Sequence, residues 1–134
     1  MTYIKMKENE FRDRFVLPLL QKFPKTKYII KQANSLRGIP DLICCINGKY
    51  VEFEVKKSVK ELEDYRHKLQ EYEMDKTWKA NGIAFTIYPE NYKAIMFDVI
   101  SECFVSDEEC KLKLLLDEYC LRLSPRKAGS PHLQ

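Results

Sequence analysis

The chain predicts an α/β fold with its elements in the order α-β-β-β-α-β and a further helix after them. Three observations carry that prediction. Phe11, Phe15, Leu19 and Phe23 recur every fourth residue, the apolar spacing of an amphipathic helix. Asn47-Gly48 stands between two strand-like runs, and this dipeptide suits a two-residue type I′ hairpin turn, whose central positions both need φ > 0. Leu62, Tyr65, Leu69 and Tyr72 lie at i, i+3, i+7 and i+10, and Gly82 precedes a second apolar run at residues 83 to 88, a helix leading into a strand.

In order, the first helix is expected over residues 7 to 23, bent at Pro18 because proline lacks the N–H for the helical ladder. A strand follows at residues 28 to 32, then the hairpin. The second helix begins in the sixties and ends around Gly82, a favourable C′ residue. Residues 83 to 88 form the next strand, residues 94 to 99 add an edge strand, and residues 107 to 123 form a last helix with one apolar side. The run from Ser124 to Pro131 has too little apolar content to fold. The division is one domain over residues 1 to 123 and a flexible tail over 124 to 134, with no repeats and no internal linker.

Composition agrees with one globular unit. The chain has 134 residues, 45% hydrophobic and 12% aromatic, enough for a core and too apolar for a disordered chain. No run of 18 apolar residues and no signal peptide directs it to a membrane. The five cysteines lack CxxC or Cys/His ligand spacing, and an odd count is poor for a disulfide framework, so they read as reduced core residues of a cytoplasmic protein. Net charge is only +3, but it is uneven. Residues 1 to 40 hold nine cations (Lys5, Lys7, Arg12, Arg14, Lys22, Lys25, Lys27, Lys31, Arg37) against three anions (Glu8, Glu10, Asp13), a net +6. Such asymmetry fits attraction to phosphates; solubilising surface is the plain alternative.

The hairpin holds the chemistry. With Asn47-Gly48 as the loop, Ile46 pairs with Lys49, Cys45 with Tyr50, Ile43 with Glu52 and Asp41 with Glu54. Opposed residues share a face, and the period of two adds Lys56 to it. Two carboxylates about 5 Å apart repel. Three readings stay open: a slipped register that separates them, a structural salt bridge to Lys56, or a divalent metal of the Mg²⁺ kind, which takes hard oxygen ligands and keeps several waters.

Pro40-Asp41 followed after a short hairpin by Glu54-Val55-Lys56 resembles the PD-(D/E)XK nuclease signature. The fuller string, Gly38-Ile39-Pro40-Asp41-Leu42 with Glu54-Val55-Lys56-Lys57, is similar to the virus-type replication-repair nuclease (VRR-NUC) branch and to Holliday-junction resolvases. Leu69-Gln70-Glu71-Tyr72 and residues 82 to 89 fit it too, so the likeness covers about residues 5 to 97. Each short element is common; their order and spacing are specific. The resemblance implies a restriction-endonuclease-like core, a mixed central sheet flanked by helices.

It also implies roles. Asp41 and Glu54, with the carbonyl of Val55, would hold Mg²⁺ or Mn²⁺. Lys56 would position or deprotonate the attacking water, or stabilise developing charge. Glu8 shares the face of Phe11 and Phe15 and matches a family acid that would orient a second metal or a metal-bound water; Glu10 is its rival, and an acid favoured by the helix dipole is the plain reading. Gln70 matches a glutamine beside metal and lysine, against a plain reading as a solvent-facing residue. Lys31 matches a basic residue that would face a DNA phosphate, and Lys57 and Arg37 read as backbone contacts. His67 reads as a surface residue and Trp78 as core or helix packing. The expected function is a metal-dependent DNA endonuclease, selective for branched DNA, in phage or prophage replication, recombination or repair. A homodimer would cut two strands symmetrically and a monomer would nick. The alternatives are a catalytically silent nucleic-acid-binding module and an RNA-directed nuclease of the same fold.

Overall fold

The computed structural model describes residues 5–32, 38–63 and 65–123; Arg37 and the tail expected from residue 124 lie outside them. The first helix, α1, is α-helical over Glu8–Phe11, π-helical over Arg12–Val16 and α-helical again over Leu17–Lys22. The disturbance expected at Pro18 is thus a widened turn just ahead of it. Proline has no N–H to give its own turn, and the Leu17 N–H reaches back to the Arg12 carbonyl in the wider register. Phe11, Phe15, Leu19 and Phe23 are all buried, as their spacing predicts.

The strands β1 (Thr26–Ile30), β2 (Leu42–Ile46) and β3 (Lys49–Val55) form an antiparallel meander, and β4 (Ile83–Ile87) joins β3 in parallel. The sheet is mixed, in the order β1-β2-β3-β4. β1 starts two residues earlier than expected. Lys25 turns the chain in the left-handed region (φ 50°), and its carbonyl accepts the Asn47 N–H at 2.8 Å, which pins the strand to the hairpin loop. A parallel pair needs a crossover, here the 3₁₀ turn Val59–Glu63 and helix α2, Tyr65–Lys79.

Two C-terminal helices follow, α3 (Tyr92–Cys103) and α4 (Ser106–Leu123). The edge strand expected at residues 94 to 99 is therefore helix. Tyr92, Met96, Val99, Ile100 and Cys103 are its buried residues, a spacing of four, three, one and three that only a helix turns to one side. The end of α2 also differs from expectation. Asn81, not Gly82, takes the left-handed position (φ 67°), with Gly82 N–H to the Thr77 carbonyl at 2.9 Å and Asn81 N–H to the Trp78 carbonyl at 3.0 Å, the Schellman pattern. Gly82 is required for space: a Cβ there would stand 2.9 Å from both Thr77 Cγ2 and Tyr50 Cδ2.

The core lies on one face of the sheet. Leu42, Cys44 and Ile46 of β2 and Val51, Phe53 and Val55 of β3 join the apolar residues of α1, α3 and α4 in one buried cluster. Tyr92 anchors it, its ring edge-on to Phe11 at 5.8 Å and its hydroxyl donating to the Phe15 carbonyl at 2.9 Å. Each such side chain contributes roughly 1.5–3 kcal/mol by burial.

The opposite face presents Glu52, Glu54 and Lys56 by the strand alternation, and α2 crosses it. Here the apolar stripe expected of α2 is turned outward, with Leu69 47% and Tyr72 63% exposed. Its inner side carries Thr77, which donates to Glu52, Met74, which accepts from Thr86, and Trp78, whose Nε1 donates to the Ala84 carbonyl at 3.0 Å while its ring meets Phe85 edge-on. Beneath α2 the sheet is polar, so an apolar helix face has nothing to pack on. For the same reason His67, expected at the surface, is only 7% exposed: it lies one helical repeat before Met74, on the inward side.

All five cysteines are free, but only Cys44 and Cys103 are buried; Cys45 and Cys110 are exposed, against the expectation of core positions for all. No helix among the described residues is long and apolar enough to cross a membrane.

Candidate functional site

The hairpin turns on Asn47 (φ 48°) and Gly48 (φ 83°), and its register is the two-residue one: Ile46 opposite Lys49, Cys45 opposite Tyr50, Ile43 opposite Glu52. A slipped register is thereby excluded. The last ladder pair is Leu42 with Phe53, so Asp41 stands one step further out, opposite Glu54. Across the sheet at this level run Lys31, whose N–H donates to the Asp41 carbonyl at 2.9 Å, then Asp41, Glu54 and Thr86. Asp41 Oδ2 accepts the Val55 N–H at 2.8 Å. The side chain replaces a backbone acceptor where β2 gives way to Pro40.

The two carboxyls meet. Glu54 is 7% exposed, and its pKa is raised, first by burial, then by the Asp41 charge and a hydrogen bond to the Asp41 carboxyl, with Lys56 and Lys31 pulling the other way. Two carboxylates held this close share a proton unless a cation joins them. Lys56 continues the parallel ladder, its N–H donating to the Ile87 carbonyl at 2.9 Å. Its charge draws down both Glu54 and Glu8.

A cavity of about 390 Å³ opens beside them, lined by Lys7, Glu8, Asn9, Arg12, Asp41, Val55, Lys57 and Glu61. Val55 has its side chain in the core cluster, so its backbone is what borders the cavity. The geometry separates Glu8 from Glu10. Glu10 turns back to accept the Lys7 N–H at 3.3 Å, the reciprocal half of a capping box, while Glu8 enters the cavity wall. The Glu8 pKa is raised by crowding of its carboxyl, by Asp41 and by Glu61, and lowered by Lys56 and Arg12.

Gln70 comes level with Lys56. Thr77 of α2 meets Glu52, and Met74 meets Thr86, the partner of Glu54. Four residues of helix cover about 6 Å and two of strand about 6.6 Å, so the next turn back reaches the end of β3. Gln70 Oε1 is buried there and accepts no hydrogen bond from the described residues; the same holds for His67 Nδ1, while His67 Nε2 stands 3.2 Å from Glu71 Oε1.

The fold thus brings Glu8, Asp41, Glu54, Val55, Lys56, Lys57 and Lys31 to one end of the sheet and Gln70 to its level. Arg37 falls outside the described residues. Four lining residues, Lys7, Asn9, Arg12 and Glu61, escaped the sequence reading as members of the site. Arg12 had a signal, since it follows Glu8 by four on one helix side; it pairs with Asp13 at 2.7 Å and also feels Asp41 and Glu8. Glu61 had none, for its place depends on the crossover turn, where it accepts the Lys57 N–H at 2.7 Å.

Among the described residues no group of three or more His, Cys, Asp and Glu stands ready to hold a metal ion. The donors at hand are the carboxyls of Asp41 and Glu54, one Asp41 oxygen already accepting the Val55 N–H, and a backbone carbonyl. These fit Mg²⁺, which binds through one or two carboxylates and fills its octahedron with water and substrate phosphate. Compared with protein-family models, curated proteins and solved structures, the chain matches none.

Proposed function

We propose that the chain is a metal-dependent DNA endonuclease with a restriction-endonuclease-like core of the VRR-NUC kind, acting on branched DNA. The observation that carries the reading is the Asp41–Glu54 pair: a buried carboxyl set opposite a second one that lines a cavity, with the charges of Asp41 and Lys56 both acting on it. A core has no use for that repulsion, and a phosphodiester hydrolase does.

Asp41 and Glu54, with the Val55 carbonyl, would hold Mg²⁺ or Mn²⁺. The bound ion supplies Lewis-acid stabilisation of charge on the phosphoryl oxygens. Lys56 faces the attacked phosphate, where its ammonium orients the attacking water and counters the developing charge. Gln70 directs its open Oε1 at that water or at Lys56. Glu8 takes up a water proton at the cavity mouth, for which its raised pKa suits it. Lys31, Lys57 and Lys7 neutralise flanking phosphates, a contact that positions DNA without reading its sequence. One observation favours the silent-module alternative: Asp41 already commits an oxygen to the Val55 N–H, a structural role that needs no metal.

The test is cleavage of labelled junction, flap, duplex and single-stranded DNA, and of the matching RNAs, with and without Mg²⁺. Metal-dependent cutting of branched DNA by the wild type, lost in a folded Asp41→Asn protein, is the expected result. No cutting of any substrate, or equal cutting by Asp41→Asn, would overturn it; cutting confined to RNA would reassign the substrate.

A further inference from the structure

A second cavity, of about 520 Å³, lies on the same face of the sheet, between β2, β3 and α2. Its size is that of small-molecule and base pockets, and nothing in the nuclease chemistry uses it. Apolar walls come from Ile39, Pro40, Ile43 and the half-exposed Tyr50 ring, and the floor is Glu52 with Thr77. Glu52 is 5% exposed, and the one cation among the described lining residues, Lys76, pairs with Glu73 at 3.3 Å. Glu52 is held by two hydroxyls: Tyr50 donates to Oε2 at 2.6 Å and Thr77 to Oε1 at 2.7 Å. Each carboxylate oxygen can accept two bonds, so one acceptor position remains on each of the two oxygens. Their complement is a planar group with two adjacent N–H donors.

Glu52 precedes Glu54 by two residues on one strand face, a separation of roughly 7 Å and about the span of one nucleotide. We propose that this cavity receives an unstacked guanine from the nucleotide next to the cleaved phosphate, its N1–H and N2–H on Glu52 and its ring against Tyr50. The proposal rests on the nuclease reading for the position of the strand, not for the chemistry of the pocket. Among the bases only guanine presents two neighbouring donors on its Watson–Crick edge, and an aromatic wall is what an unstacked base packs on. Junctions and flaps supply such bases at their branch points, where pairing is already broken.

The experiment measures binding of short oligothymidylates carrying one dG, dI or dA, in Ca²⁺ so that the strand survives. Inosine differs from guanosine only by the missing 2-amino group. Wild type should bind dG about tenfold tighter than dI, within the range of bidentate base contacts, and Glu52→Gln should lose the difference. Ala80→Trp, which fills the cavity from an exposed position on its wall, removes no hydrogen bond and should lose it too, which decides the matter if Glu52→Gln does not fold. Equal binding of dG and dI by wild type, or a preference that survives Ala80→Trp, would overturn the pocket. So would displacement by arginine amide without dG preference, which would mark a protein guanidinium as the occupant. Cleavage of the same strands in Mg²⁺ is scored separately: a dG preference without cleavage would sink the nuclease reading alone, and cleavage without the preference the pocket alone.

Discussion

Glu52 and Glu54 sit two residues apart on one strand and one face, 5% and 7% exposed, yet the fold treats them in opposite ways. Glu52 is supplied with donors. Tyr50 and Thr77 each give it a hydroxyl, and burial together with that bond pushes the Tyr50 phenol up to about 12, so it stays a donor. Glu54 is given another carboxyl instead, and its pKa rises. A buried charge is tolerable where its lone pairs are met and strained where they are not. The first end of the strand is held by two hydroxyls; the second faces another carboxyl.

The comparison is sharpened first at the reacting end. Lys56→Ala should reduce Mg²⁺-dependent cleavage by about 100-fold or more, from typical acid–base and electrostatic contributions, while Kd for DNA in Ca²⁺ changes little. Full activity in that variant would remove Lys56 from the mechanism, and failure to fold would return it to a structural salt bridge.

Opposite signs of stability are expected next. Glu52→Ala strands the Tyr50 and Thr77 hydroxyls and should cost about 1–3 kcal/mol in urea unfolding. Glu54→Gln replaces the shared proton with a permanent N–H toward Asp41 and should stabilise the metal-free protein by about 1 kcal/mol at pH 8. If both variants lose stability alike, the contrast between the two glutamates is wrong.

The pH dependence follows from the same difference. Above the ordinary carboxylate value, near 4.3, the unfolded chain has released the Glu54 proton while the native protein keeps it. Stability of the metal-free protein should therefore fall as pH rises from there through the raised native value and then level off. Urea midpoints across pH 4 to 9 check this, and Glu54→Gln should flatten the profile. Millimolar Mn²⁺ should reverse the loss and raise Tm in the wild type by binding the native state alone; Asp41→Asn should blunt that rise, and an undiminished rise would show that the metal sits elsewhere.

The smallest effect belongs to the positive rim. Lys31→Ala should lower the slope of log K against log salt by about one unit for non-cleavable duplex, and weaken all sequences alike. A salt-insensitive interaction would reduce the basic half of the chain to solubilising surface.

How much of this was legible along the chain depends on how local the cause is. The type I′ turn is chosen by Asn47-Gly48 alone, and once the turn is set, a strict period of two commits Asp41, Glu54 and Lys56 to one face. Helix α1 is equally readable, since Phe11, Phe15, Leu19 and Phe23 face a core that is apolar throughout. Helix α2 misled because the surface it covers is polar. Leu69 and Tyr72 obey the helical period but point away, and the polar residues His67, Gln70 and Thr77 take the inner side over Glu52 and Glu54. Residues 94 to 99 were misjudged as strand because a six-residue apolar window fits either period, and only the longer spacing from Tyr92 to Cys103 separates them.

The sequence by itself determined the hairpin, its register and the collision of two carboxyls, because turn chemistry and strand alternation act within a few residues. Only the tertiary structure decided what surrounds that collision. Packing of α1 against the sheet placed Glu8 and Arg12 at the cavity while Glu10 capped its own helix. The crossover brought Glu61 and the open Oε1 of Gln70 to the same end, and it set Thr77 against Glu52 to make a second cavity. Such contacts join residues far apart in the chain, Glu8 and Asp41 by 33 positions and Thr77 and Glu52 by 25, where the free energy of the whole core, not any local preference, selects the neighbour.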